Sequence, residues 1–488
     1  MKKLPILRLF ITSLLLVSCV TTKPKPSDIK EKLLEQEAWR HELPQAATTP
    51  VRPNFPKVFE NKLANGLTIL VVEDSRLPIV DAMLFFRNGS ALDPIGKAGL
   101  ENLTALMLKE GTAALSSLEL AERFADLGTE VSVGAGKDSS YISVGILSDK
   151  IDDALGLISA MAQKPRMSSD DFARVKTQQQ HAINSDMASP GYVAQVKFLH
   201  TAYGDKHPYG YPSAGTNETL SRITLADVKK AHSTDFGLNN AALVVVGDVT
   251  RNQIYKTAEK YFGEWRKEIK DPVKAIEAPP QHERMQTVLI SRPSLPQTFL
   301  LIGQPAATQH DHDLASYEVF QNIVAGMPTS RLGSILRERK GWTYGVYSVL
   351  SPLRGKGPLL FTTSIEVPHG ADALKIILDQ FETMKHTPVT SQELQDAKSG
   401  ILNSYASQYT TLRKIASSIG ENFIYNLPKN HDEIIYDNIA KVTSDMIMAV
   451  AQKALPKNQM TAVAVGELEV MEIPLATMDV GKVTVDKD

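Results

Sequence analysis

Residues 224–247 read TLADVKKAHSTDFGLNNAALVVVG, and residues 443–466 read TSDMIMAVAQKALPKNQMTAVAVG. The first predicts a helix over Thr224–Phe236, then a buried strand over Ala241–Gly247, which holds no polar side chain. Thr224 and Gly247 lie 23 positions apart, and so do Thr443 and Gly466. Asp153-Ala154-Leu155 recurs as Asp372-Ala373-Leu374, and all of these pairs share one offset, 219. A constant offset over so long a span points to a duplicated domain.

The rest of the first copy follows outward from this. Asn65-Gly66 is a hairpin signal, and Leu67, Ile69 and Val71 alternate at strand period after it. Ile79–Phe86 is a further strand. Leu100, Leu103 and Met107 recur at helical spacing, and a long helix is expected from Asp170 to Met187, ending near Pro190. Lys267 to Arg284, with Pro272, Pro279 and Pro280 among charges, reads as the linker. The expected organisation is lobes at 57–266 and 285–480, a linker at 267–284 and a tail at 481–488. The fold class is α+β: two duplicated lobes, each an antiparallel sheet covered on one face by helices, enclosing a chamber.

Composition narrows the function. The 488 residues are 43% hydrophobic and 22% charged, with a net charge of -2. Such a chain is globular, and no basic field is present to attract nucleic acid. One cysteine cannot make an internal disulfide or a Cys-rich metal site. That cysteine, Cys19, ends the stretch MKKLPILRLFITSLLLVSC, a basic start followed by an apolar run too short to span a bilayer. Leu16-Val17-Ser18-Cys19 resembles a bacterial lipobox, which implies cleavage before Cys19 and lipidation of its thiol. Val20 is not aspartate, so the expectation is an outer-membrane anchor with the protein facing the periplasm. Residues 20–56, punctuated by proline, are expected to be a tether.

Several short motifs stand in order: Asn65-Gly66-Leu67, Arg87-Asn88-Gly89-Ser90, Gly96-Lys97-Ala98-Gly99-Leu100, Gly111-Thr112 and His207-Pro208-Tyr209-Gly210. Ser330-Arg331-Leu332, Leu336-Arg337-Glu338 and Gly341-Trp342-Thr343-Tyr344 follow in the second copy. In this order the chain resembles the pitrilysin/insulinase family of zinc peptidases, in its two-lobed, mitochondrial-processing-peptidase-like branch, from about residue 57 to 470. Peptide-cutting members carry H-x-x-E-H, two histidines on one helical face with a glutamate as general base on zinc-bound water, and a later glutamate as third ligand.

Aligned on Gly99-Leu100 and Gly111-Thr112, those positions here hold Asn102, Ala105 and Leu106, and Ala182 stands at the third ligand. A catalytic zinc needs three protein ligands and an open position. Leucine and alanine offer no lone pair, so no zinc is expected in this chain and the helix face should be packed and apolar. Glu101, one position away, is expected to be solvated, His181 to be no ligand, and the cluster His310-Asp311-His312-Asp313 to be a solvated loop.

The second copy keeps the family's other device. Arg337 and Tyr344, seven residues apart, match the Arg/Tyr pair that the family uses on the substrate backbone and the oxyanion. The resemblance therefore implies a non-catalytic partner subunit. It would act with a homologous subunit bearing H-x-x-E-H and its zinc, and would bind peptide substrates. The alternative is a peptide-binding or scaffolding lipoprotein with no hydrolytic role.

Overall fold

The computed structural model describes residues 50–266, 268–269 and 275–486. Cys19, the leader and most of the tether lie outside the described residues. Val51–Asp488 form one compact unit.

The first sheet is built from β1 (Phe59–Lys62), β2 (Thr68–Glu73), β3 (Ile79–Phe86), β4 (Ser132–Ala135), β5 (Ser140–Leu147) and β6 (Ala241–Gly247), in the order β1-β2-β6-β3-β5-β4. The second uses β7 (Gln286–Ser291), β8 (Gln297–Ala307), β9 (Val346–Leu350), β10 (Gly357–Glu366), β11 (Thr461–Gly466) and β12 (Lys482–Asp486), in the order β12-β7-β11-β8-β10-β9. The duplication is therefore visible strand by strand. Thr68 pairs with Ala242 and Gln286 with Thr461; Ile79 pairs with Leu147 and Gln297 with Glu366. β5 and β6 reach their counterparts at the offset of 219, whereas β2 and β3 reach theirs at 218, so the second copy gains one residue after β8.

Two expectations need correction. The sheets are mixed: β2 runs parallel to β6 and β7 parallel to β11, because in each lobe the chain returns after its helices to place β6 or β11 in the interior of the sheet. Residues 481–488, expected as a tail, contain β12, which adds to β7 in parallel.

The helices that shape the site and the joint between the lobes are α1 (Leu100–Met107), α2 (Ser169–Asp186), α3 (Pro190–Tyr203), α4 (Leu225–Asp235), α5 (Leu314–Gln321), α6 (Leu412–Ile424) and α7 (Ser444–Ala454). The positions of α4 plus 219 give those of α7.

A further correction concerns the cover of the sheets. Every residue of β6 is buried, so both its faces need a partner. Leu243 and Val245 face the helices of their own lobe. Ala242, Val244 and Val246 face Ile415, Ala416 and Ile419 of α6, which belongs to the other lobe. The reverse holds in the second sheet: Val463 and Val465 of β11 pack against Val193, Ala194 and Phe198 of α3, donated by the first lobe. Each sheet is thus covered on both faces, on one of them by a helix from its twin. Gly420 permits the close approach of α6, since a Cβ there would stand 2.1 Å from the Phe85 ring.

Polar contacts lock the exchange. Arg413 of α6 donates to Asp81 at 2.6 Å and to Ser143 at 2.6 Å. Arg87 donates to the carbonyl of Phe423 at 2.7 Å and lies over its ring at 4.0 Å. Asp138 accepts from Tyr209 at 2.9 Å and from the Arg354 amide at 2.8 Å, and the Gly355 amide donates to the Tyr209 hydroxyl at 3.1 Å. His207 accepts at Nδ1 from the Tyr209 amide at 3.0 Å, which leaves Nε2–H to donate to the Glu277 carbonyl at 3.0 Å. The His-Pro-Tyr-Gly motif is therefore part of the joint between the lobes.

Candidate functional site

The sequence points to two places, one in each lobe. The first is α1. Asp93 caps it, with carboxylate oxygens accepting from the Gly99 amide at 2.7 Å and the Glu101 amide at 2.8 Å. Gly99 has φ of 97°, and a Cβ there would lie 2.5 Å from the Ala214 carbonyl. Only glycine fits that entry.

Along α1, Asn102 and Leu106 are half-buried on one face, Ala105 is fully buried, and α2 packs alongside. Ala182 and His181 on α2 are exposed. The family's zinc does not fit this set, because Leu106 and Ala182 have no donor atom and Ala105 has no base. Among the described residues no group of three His, Cys, Asp or Glu side chains stands close enough to hold a metal ion. The His310–Asp313 stretch is a turn after β8, where Asp311 accepts from the Thr308 amide at 3.1 Å and Asp313 pairs with Lys453 at 3.1 Å.

Glu101 overturns its expectation. It is 1% exposed, not solvated. Asn88 donates to its carboxyl at 2.9 Å, and Ser140 donates to Asn88 at 2.5 Å. The side chain turns inward, toward Asp93 and Asp235. Burial first, then the repulsion of Asp235 and Asp93, holds its pKa well above the ordinary carboxyl range. Burial likewise raises Asp93 to about 7, against the amides that it accepts. The Arg-Asn-Gly-Ser motif is thereby explained, since Asn88 is the polar partner that lets a carboxyl be buried at the base of α1. In sequence nothing signals this, because Asn88 stands 13 positions from Glu101.

The second place is the margin of the second sheet. Arg337 lies in a wide helical turn, Gly333–Arg339, and is 44% exposed, with Nε 3.3 Å from Glu338. Arg331 steadies the start of that turn by a two-pronged pair with Glu393, at 2.6 and 3.1 Å. Beyond the turn, Trp342 stacks on His369 at 4.2 Å. Thr343 bonds Thr363 at 2.9 Å. These two anchors leave Tyr344 projecting from the chain, 89% exposed. Tyr347 and Val349 of β9, the last strand in the sheet order, continue the exposed surface. No hydrogen bond joins Arg337 to Tyr344, or either side chain to α1, among the described residues.

A duplicated sheet-and-helix fold with a disarmed zinc helix in one lobe and an exposed Arg/Tyr pair in the other defines a peptidase-like protein without peptidase ligands. Comparison with known proteins agrees. Residues 68–217 match the model for insulinase, peptidase family M16, and residues 222–401 match that for the peptidase M16 inactive domain. The chain belongs to peptidase family M16. It is 25% identical over 383 residues to "Non-peptidase homolog YmxG" of Helicobacter pylori, covering 77% of this chain and 86% of that relative. It is 22% identical to "Zinc protease PqqE" of the same organism, covering 76% and 84%. A crystal structure described as the peptidase M16 inactive domain from Pseudomonas fluorescens superimposes with a TM-score of 0.77 at 29% identity, covering 84% of this chain and 98% of that one.

The buried carboxyls give a pH test. Glu101 holds its proton more tightly folded than unfolded. Its contribution to stability is therefore present in acid and lost as pH rises through the folded value. Asp93 acts in the same sense between its ordinary range and about 7. Glu101→Gln carries no charge at any pH, so it should lose less Tm than the wild type between about pH 5 and about pH 8. Equal losses would show that Glu101 is not held protonated.

Proposed function

We propose that this chain is the non-catalytic, substrate-binding partner of a heteromeric zinc metalloendopeptidase. Its zinc-bearing partner would be a homologous subunit with H-x-x-E-H. The observation that carries the reading is the pairing of an α1 face that offers no metal donors with an Arg/Tyr pair left exposed at the sheet margin.

The chemistry follows from what the exposed pair can donate. As water adds to a peptide carbonyl, negative charge gathers on its oxygen. A guanidinium and a phenolic O–H stabilise that charge most strongly where water is excluded. The exposed surface at Tyr344 excludes no water by itself, so a second subunit must cover it. The peptide would extend along the margin at β9 and bind through its main chain, with loose sequence preference. In this reading the zinc belongs to the partner, and this chain supplies Arg337 and Tyr344 in trans. We place the assembly at the outer membrane, anchored through lipidated Cys19 and facing the periplasm.

Two experiments test this. Purified chain should cleave nothing alone and should gain activity on mixing with the zinc-bearing homologue. In that mixture Arg337→Ala or Tyr344→Phe should lower turnover by roughly 10²-fold, the scale of losing one oxyanion donor. Unchanged turnover in both variants would remove the assigned pair. Cys19→Ala should move the protein from the membrane fraction to the soluble one, and retention at the membrane would refute the anchor.

A further inference from the structure

A second set of titratable groups lies in the other half of the molecule, away from α1. Where α5, α6 and the chain after α6 meet the end of β9, they leave a cavity of about 210 Å³. Glu318 of α5, Glu421 of α6 and Asp432 line it, together with His431, and no lysine or arginine does. Asp432 accepts from Tyr409 at 2.8 Å and from Ser418. Glu318 and Glu421 have no hydrogen-bond partner for their carboxyls among the described residues.

Two amide side chains sharpen the picture. Asn422, also in the lining, is 7% exposed, and its side chain bonds to nothing among the described residues. The Oε1 of Gln321 is buried in the same wall without a donor. An unpartnered buried acceptor is destabilising until a donor reaches it. A cavity walled by three carboxyls and the unpartnered Asn422 amide presents acceptors in excess of donors.

Electrostatics points the same way. Burial, with repulsion from Asp432, raises Glu318 to about 7; Glu421, packed into the wall yet open to solvent at its rim, is raised in the same sense. Burial lowers His431, so its ring brings no charge at neutral pH. A positive guest would relieve this repulsion. The acidic groups are distributed around the cavity, and no three of them stand at metal-holding distance. That spacing suits a cation that spreads its donors over several atoms.

We propose that this cavity binds a guanidinium group, held by Glu318, Glu421 and Asp432 with the Asn422 carbonyl oxygen accepting a remaining N–H donor. Leu350, the last residue of β9, and Pro352 beyond it also line the cavity. A peptide lying along that margin would bring an arginine side chain to its mouth, and a free guanidinium compound would have the same access. The proposal concerns this chain alone. It stands or falls separately from the zinc-bearing partner.

The test is direct binding to the purified full chain, measured by calorimetry. The probes are a short polar peptide with one arginine, the same peptide with citrulline, and arginine amide. The arginine peptide or arginine amide should bind, and the citrulline peptide should bind at least roughly tenfold more weakly. Arginine amide matching the peptide would identify a free cation as the ligand; a tighter peptide would identify a peptide-borne one. Glu318→Gln, which breaks no hydrogen bond, should abolish the preference for charge. Should it not fold, Glu421→Gln serves as the second variant. Equal binding of the arginine and citrulline peptides, no saturable binding of any probe, or a preference for charge that survives in the folded variant would overturn the proposal.

Discussion

The fold depends on the burial of two apolar strands on both faces. β6 and β11 are fully buried along their length, and in each sheet one face is covered by the helices of its own lobe and the other by a helix from its twin. The solution is reciprocal: α3 leaves the first lobe to cover the second sheet, and α6 leaves the second lobe to cover the first. At roughly 25 cal/mol per Å² of apolar surface, side chains such as Phe198 and Ile419 make that exchange a main term in stability. It converts two copies of one plan into a single body.

This has a functional consequence. Domains that meet through small polar contacts move relative to each other, but these lobes share two apolar clusters and the Asp138–Tyr209–Arg354 joint. The lobes are joined by packed apolar surface as well as by polar contacts. The facing sides of their sheets are occupied by the exchanged helices, and the clefts beside α6 are small, about 300 and 270 Å³. An exposed Arg337 and Tyr344 therefore acquire a dry environment only from another molecule. The packing at the base of α1 needs no metal. Asp93, Asn88 and Glu101 hold the helix from its base by hydrogen bonds, and Gly99 permits its close entry.

Much of this was legible in the sequence. The repeat at 219, the Asn-Gly turn between β1 and β2, the long helix before Pro190 and the apolar strands were read from spacing and composition, which report local periodicity well. The missing ligands at Asn102, Ala105, Leu106 and Ala182 were equally plain, because a donor atom is a property of the residue itself. What escaped depended on distant partners. The apolar stripe of α3 states that it is buried, not against which sheet. Glu101 looks like any first-turn carboxylate until Asn88 is placed beside it. β12 is five residues that become a strand only because β7 offers a free edge.

The central claim is that the α1–α2 scaffold persists and only the metal donors are gone. It is tested most directly by measuring zinc per chain after dialysis, in the wild type and in a variant carrying Asn102→His, Ala105→Glu, Leu106→His and Ala182→Glu. The account predicts no stoichiometric zinc in the wild type and about one ion per chain in the variant, as expected of a site with three protein ligands. One tightly held zinc in the wild-type chain would contradict it, as would a folded variant that binds none.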